Sequence, residues 1–178
     1  NLSLVRDAGN HTMRNLGRLL EQCKKCLIAV DCENSDAVKL AAALSSAATE
    51  KGLVTYTKHY MMNNQETNRN TNGGVITWAN EQAIREIYAK PYELAVKEGN
   101  NSAFMTAFNR IGLSTCSTNY ALLELLTRGE WGFCGHNVTD YMDYPEYRYT
   151  NLMVRAGNEL PLGGPNKLIG KGKGGNSS

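Results

Sequence analysis

Three short polar clusters in this 178-residue chain carry side chains able to do chemistry together: Lys58-His59, Asn109-Arg110 and Asp140. Asp140 is a carboxylate in the company of cationic and hydrogen-bonding groups. Nearby positive charge favours the ionised form of a carboxylate, and an ionised carboxylate can attack an electron-poor centre or stabilise a positive one as it develops. The same Lys, His, Asn and Arg groups could hold the hydroxyls of a neutral, hydroxyl-rich ligand. Such a ligand also calls for aromatic walls, and Tyr60, Phe108, Tyr141 and Tyr144 lie close in sequence. Each cluster taken alone also fits a cap or a salt-bridge partner, and the pattern by itself names no reaction.

The elements between the clusters decide whether they can meet. Ser35–Gly52 reads as a helix: Ser35 can cap it, Ala37, Leu40, Ala41, Leu44 and Ala48 share a face, and Gly52 can close it. Leu53–Thr57 is a β-rich run that delivers Lys58 and His59 at its C-terminal end. The Asn-, Gln-, Thr- and Gly-crowded stretch Met61–Gly74 reads as a loop with no capacity to build a core. Asn80–Glu98 is helical in period, with Pro91 expected to kink or divide it. A strand is expected over Ser102–Phe108, a Leu-rich helix over Thr118–Thr127, a strand over His136–Tyr141, and a last helix-to-strand passage through Leu152–Ala156 and Glu159–Leu162. Strands alternating with helices argue for βαβ units and a parallel sheet. Reactive side chains in such sheets gather at the C-terminal strand ends, where all three clusters fall.

Composition bounds the rest. With 42% hydrophobic and 20% charged residues the chain has the make-up of a soluble globular domain, and no apolar run approaches the ~20 residues that span a bilayer. A net charge of +2 gives no argument for a nucleic-acid partner, since the surplus sits in the Lys167–Lys173 tail without interleaved aromatics. The five cysteines, Cys23, Cys26, Cys32, Cys116 and Cys134, are odd in number and scattered, so reduced thiols are the expectation. Cys23-Lys-Lys-Cys26 has no second ligand pair at zinc spacing; no metal and no cofactor is called for. His11 and His136 read as surface or packing residues. No secretory leader pattern is visible, which leaves a cytoplasmic or a secreted location open.

Four segments then carry a resemblance. Lys58-His59-Tyr60 followed by Asn63-Asn64-Gln65-Glu66, the helical run Arg85–Glu93, Met105-Thr106-Ala107-Phe108-Asn109-Arg110, and Glu130-Trp131-Gly132-Phe133-Cys134-Gly135 leading to Thr139-Asp140-Tyr141 resemble, in order, motifs of the family 3 glycoside hydrolases of the β-glucosidase type. The resemblance runs from about Ser35 to Gly164. It implies an α/β fold that is part of a (β/α) barrel of the TIM type with parallel strands. A whole barrel typically needs about 250 residues, so about four βα units fit here.

By the same resemblance Asp140 is the nucleophile of a retaining double displacement on a terminal β-linked sugar. Lys58 and His59 hold sugar hydroxyls, Arg110 orders the pocket, and Tyr141 lines it. A retaining enzyme needs a second carboxyl group about 5–5.5 Å from the first to protonate the leaving oxygen; in this family it comes from a second domain. The domain organisation expected is an unassigned segment over 1–34, the partial barrel over 35–164 and a Gly/Lys tail over 165–178. The partners expected are a carbohydrate substrate, no nucleic acid, no membrane, and either the remaining strands and second domain or a further copy of the chain. The alternative is a truncated or inactive relative that serves as a sugar-binding or assembly module.

Overall fold

The computed structural model describes residues 27–31, 38–67, 74–141 and 150–162. Tyr144, the Ser35 cap, Cys23, Cys26, Cys32 and the Gly/Lys tail lie outside the described residues.

Four strands, β1 (Leu27–Asp31), β2 (Val54–Tyr60), β4 (Ala103–Thr106) and β7 (His136–Thr139), form one parallel sheet in the order β1-β2-β4-β7. Parallel strands cannot be joined by a tight turn, so each connection crosses over through helix. The first is α1 (Val38–Glu50). Gly52 closes that crossover at φ 79°, a conformation that favours glycine, and sends the chain into β2. Among the residues whose burial is described, α1 turns Ala42, Ser45 and Ala48 inward, with Leu44 partly buried.

The second crossover is helical throughout but not uniform. It begins as α2 (Glu81–Ala83), capped by the Asn80 side chain, which accepts from the Ala83 N–H. It widens to a π-helix over Ile84–Tyr88 and resumes as α3 (Lys90–Lys97) with Pro91 in the first turn. Proline lacks an N–H and is tolerated only where none is needed, so the helix divides at that point, as the sequence predicts. The third crossover, Ala121–Glu130, is also wound as a π-helix. Thr127 Oγ1 donates to the Leu122 carbonyl at 2.6 Å within it. The wider winding buries Leu122, Leu123, Leu126 and Thr127 and leaves Leu125 exposed. After β7 the chain makes α4 (Thr150–Arg155), and Leu160 returns to bridge Val138 in the parallel sense.

Three differences from the sequence expectation matter for the site. β1 falls in the segment left unassigned and extends the sheet by one strand beside β2. The stretch after β2 is not a core-less loop: Met61, Met62 and Asn63 are buried. A second sheet of β3 (Ile76–Thr77), β5 (Arg110–Ile111) and β6 (Ser114–Thr115) sits beyond β2 and β4, and two-residue strands carry no periodicity to read. The expected strand over Ser102–Phe108 is correspondingly shorter, ending at Thr106 where the chain turns into β5.

The core under the strand ends is aromatic. Tyr60 stacks on Phe104 at 4.8 Å and packs against Tyr92 and Trp131, while Phe104 meets Phe133 at 4.8 Å. Burial removes the Tyr60 hydroxyl from water and pushes its pKa well above the ordinary value; the Thr127 hydroxyl is its partner at 2.8 Å. Tyr60 is wholly buried, so it is a core residue and not a wall for ligand. No described helix is long and apolar enough to cross a membrane.

Candidate active site

β2, β4 and β7 run parallel and side by side, so their C-terminal ends open on the same edge of the sheet. Lys58 and His59 are at the end of β2, and Asp140 follows the last residue of β7. The register of β2 against β4 shifts between Thr57 and Tyr60, and the Lys58–His59 and Tyr60–Met61 peptide bonds are cis. The Tyr92 hydroxyl, reaching from α3, donates to the His59 carbonyl at 2.7 Å. The Asp140 N–H donates to the Thr106 carbonyl of β4 at 3.1 Å, which fixes where the aspartate leaves the sheet.

Across the gap His59 Nε2 stands 3.5 Å from Asp140 Oδ2, and Lys58 Nζ stands 3.5 Å from the same His59 nitrogen. That nitrogen therefore lies between an ammonium and a carboxylate. As an N–H it points a donor at Asp140; as a bare nitrogen it accepts from Lys58. The side chains of His59 and Asp140 are 17% and 15% exposed, enough for a ligand to reach and too little for water to screen the pair fully. The other Asp140 oxygen accepts from the Tyr141 N–H at 2.7 Å, and the Tyr141 side chain is 42% exposed beside it.

The polar loop after β2 is held from behind. Asn109, buried, donates through Nδ2 to the Met61 carbonyl and to the Thr77 hydroxyl, each at 3.1 Å. Asn63 donates to Glu66 at 2.7 Å. β7 is pinned at its start by Arg128, which pairs with Glu124 and Glu159 and donates to the Gly135 carbonyl at 2.8 Å. Glu159 in turn accepts from the Asn137 N–H at 2.7 Å. Asn158, wholly buried, donates to Thr106 Oγ1 of β4.

Lys58, His59, Asp140 and Tyr141 are thus brought together. Arg110 is carried by β5, donates through Nη1 to the Leu113 carbonyl at 2.9 Å, and lines a cavity of about 380 Å³ with Ser114, Tyr120 and Arg155. Phe108 is nearly buried. His136 packs as expected, its ring edge-on to Tyr56 and hydrogen-bonded to the Tyr56 hydroxyl. Cys116 is buried and Cys134 exposed, both as free thiols. No cluster of three or more potential metal ligands exists among the described residues. Tyr92 and Asn158 had no role in the sequence reading; the motif containing Pro91-Tyr92 was the signal for the first, and the partner of the second lies 52 residues away.

Comparison with known proteins adds the following. The family model described as "Glycosyl hydrolase family 3 N terminal domain" matches residues 32–153. β-Glucosidase B of Emericella nidulans is 39% identical over 129 residues, covering 72% of this chain and 15% of that protein. β-Glucosidase A of Butyrivibrio fibrisolvens is 35% identical over 125 residues, 70% of this chain and 14% of that one. Among solved structures, β-glucosidase 3B from Thermotoga neapolitana in complex with glucose superposes with a TM-score of 0.64 at 34% identity, over 74% of this chain and 18% of its own. A β-glucosidase from Bifidobacterium adolescentis superposes with a TM-score of 0.68 at 25% identity, over 91% of this chain and 25% of its own. The chain spans about 15% of the length of the curated relatives it matches.

Proposed function

The chain belongs to glycosyl hydrolase family 3, as part of that family's N-terminal domain, and we propose that it supplies the nucleophile side of a retaining β-glucosidase site. The observation that carries this reading is the convergence of Lys58, His59 and Asp140 at the C-terminal ends of β2 and β7, on either side of β4.

In the proposed reaction an Asp140 oxygen attacks the anomeric carbon of a terminal β-linked sugar. The glycosidic C–O bond breaks as the new ester bond forms, and the leaving oxygen takes a proton from an acid supplied by the second domain of the family. Water then cleaves the ester and the acid's proton is restored. Lys58 and His59 hold sugar hydroxyls, Tyr141 offers an apolar ring beside them, and Arg110 braces the loop through β5. The His59–Asp140 contact of 3.5 Å supports this division of labour, because it places a hydroxyl-holding side chain beside the attacking oxygen.

The four strands and their crossovers are read as part of a (β/α) barrel of the TIM type within residues 35–164, with β1 reaching back into the segment before it. β1 ends the sheet order on one side and the Val138–Leu160 bridge continues it on the other. Sheet edges favour further pairing, so the remaining strands of the barrel, or a second copy of the chain, are the proposed completion.

The test is incubation with a 2-deoxy-2-fluoro glucoside bearing an activated leaving group, followed by peptide mass spectrometry. Such a reagent needs little acid assistance. A sugar adduct on Asp140 that is absent in Asp140→Asn is the expected result. A folded chain that binds glucose and forms no adduct would instead favour the second reading, a sugar-binding or assembly module.

A further inference from the structure

The core beneath the strand ends is aromatic, and one of its residues carries a hydroxyl to the active site edge. Tyr92 stands in the first turn of α3, just after Pro91, and is 2% exposed. Its ring packs against Tyr60 at 4.8 Å and Phe104 at 5.9 Å. A phenylalanine would fill that space equally well. What the tyrosine adds is one polar group, and a buried hydroxyl is costly unless it finds an acceptor. It finds the His59 carbonyl at 2.7 Å, 33 residues back in the chain.

That acceptor lies where the sheet is least regular. The pairing of β1 with β2 ends at Asp31 and Lys58, and the register of β2 against β4 shifts between Thr57 and Tyr60. Irregularities of this kind interrupt the ladder and re-aim a side chain. The side chain re-aimed here is His59, whose Nε2 stands 3.5 Å from Asp140 Oδ2 with both side chains mostly buried. Groups that act together on one ligand must be held to within about 0.5 Å, which takes hydrogen bonds from behind. The Tyr92 hydroxyl, fixed by a packed helix, restrains the His59 main chain, and the imidazole swings on that main chain.

We propose that Tyr92 is a positioning residue for the sugar site: its hydroxyl sets where the His59 imidazole stands relative to Asp140, and so how well His59 holds a sugar hydroxyl beside the attacking oxygen. The effect on reaction rests on the hydrolytic reading, whereas the effect on geometry rests on the Tyr92–His59 bond alone. The two are therefore tested apart.

Tyr92→Phe removes one oxygen and keeps the ring. The first readout is the imidazole NMR spectrum of the chain, in which His59 is assigned by its loss in His59→Ala. In Tyr92→Phe the His59 resonances are expected to shift while those of His136, which is held by the Tyr56 hydroxyl, stay in place. An unmoved His59 overturns the proposal, and so does an equal movement of His136, which would mark a change to the whole sheet. The second readout is labelling of Asp140 by the activated fluoroglucoside. Weakening one hydrogen bond is expected to slow it by about two- to fivefold in Tyr92→Phe, mainly through a higher reagent concentration at half-maximal rate. Added to His59→Ala, Tyr92→Phe should leave labelling unchanged and still lower the thermal midpoint, because the imidazole is gone and the main-chain acceptor remains. An additive effect on labelling would show that Tyr92 acts on the fold, and would overturn the proposal. A shifted His59 in a chain whose Asp140 takes no label would uphold the positioning and count against the hydrolytic reading alone.

Discussion

His59 Nε2 and Asp140 Oδ2 lie 3.5 Å apart although 81 residues separate them, and the strand between them, β4, holds both ends of the contact. Its Thr106 carbonyl accepts the Asp140 N–H, and the Ala107 N–H just after it donates to the Tyr60 carbonyl next to His59. The contact is therefore a product of backbone register, and a change in either side chain tests chemistry more than folding. His59→Gln keeps a donor and removes the option of positive charge. In the proposed site His59 holds a sugar hydroxyl, and weakening one hydrogen bond of roughly 0.5–1.5 kcal/mol is expected to slow labelling of Asp140 by an activated fluoroglucoside by about 2- to 10-fold. The thermal midpoint should barely move. An unchanged labelling rate would remove His59 from the site.

Asn109 holds the buried loop. Its amide serves the Met61 carbonyl and the Thr77 hydroxyl, so one side chain ties the turn after β2 to the small sheet. In Asn109→Leu those buried groups lose their donor, at about 1–3 kcal/mol for a buried unsatisfied group. Denaturant unfolding is expected to show a lower midpoint by that amount with an unchanged slope. Amide exchange at Met61 and Thr77 should quicken in Asn109→Leu more than exchange in β7, which tells loss of the loop anchor from a change to the whole fold.

These two cases also mark what the sequence made legible. The clusters at Lys58-His59 and Asp140 could be placed at strand ends because each follows a β-rich run, and a parallel sheet forces such ends onto one edge. The helix break at Pro91 followed from proline's missing N–H. The burial of Met61 and Asn63 did not follow, because it depends on partners such as Asn109, 48 residues later, and the composition of the stretch argued the other way. Two-residue strands such as β3 have no period to detect, and Leu27–Asp31 is a five-residue run in the segment left unassigned. The strand end expected at Asn109-Arg110 does not form, because β4 stops at Thr106 and Arg110 opens β5 of the second sheet, where it pairs with β3 and β6.

Gly135 is the tightest point on the path to Asp140. A Cβ there would stand 2.0 Å from the Ser102 carbonyl oxygen, the same oxygen that accepts the His136 N–H and starts the pairing of β7 with β4. Neither backbone can yield without loosening that pairing. Gly135→Ala is expected to destabilise by about 1–3 kcal/mol or more, the usual range for overpacking. Amide exchange in β7 should quicken more than exchange in β2. Protection lost equally across the sheet would argue that the substitution acts on the whole fold and not on this junction.

Acid should loosen the α3 face. The Lys97 and Lys90 ammonium groups, hydrogen-bonded to Glu93 at 2.7 and 3.0 Å, hold its carboxyl below the ordinary value of 4.5. Because the folded state has the lower pKa, Glu93 adds stability that is fully present above 4.5 and is lost as pH falls from there through the depressed folded value. Stability measured by urea unfolding is therefore expected to be flat in this contribution near neutrality and to decline below 4.5. In Glu93→Gln that part of the decline should be absent and the acid limb shallower. Lys97→Met should leave the onset near 4.5 unchanged but make the decline smaller and end it at higher pH, because the larger of the two causes holding the carboxyl down is removed while Lys90 remains. Raised salt should weaken the effect, since the lysines are half exposed. An acid limb unchanged by either substitution would show that Glu93 is already protonated at the same pH in the folded and unfolded chains, and the pairing across one turn of α3 would then contribute nothing to its stability.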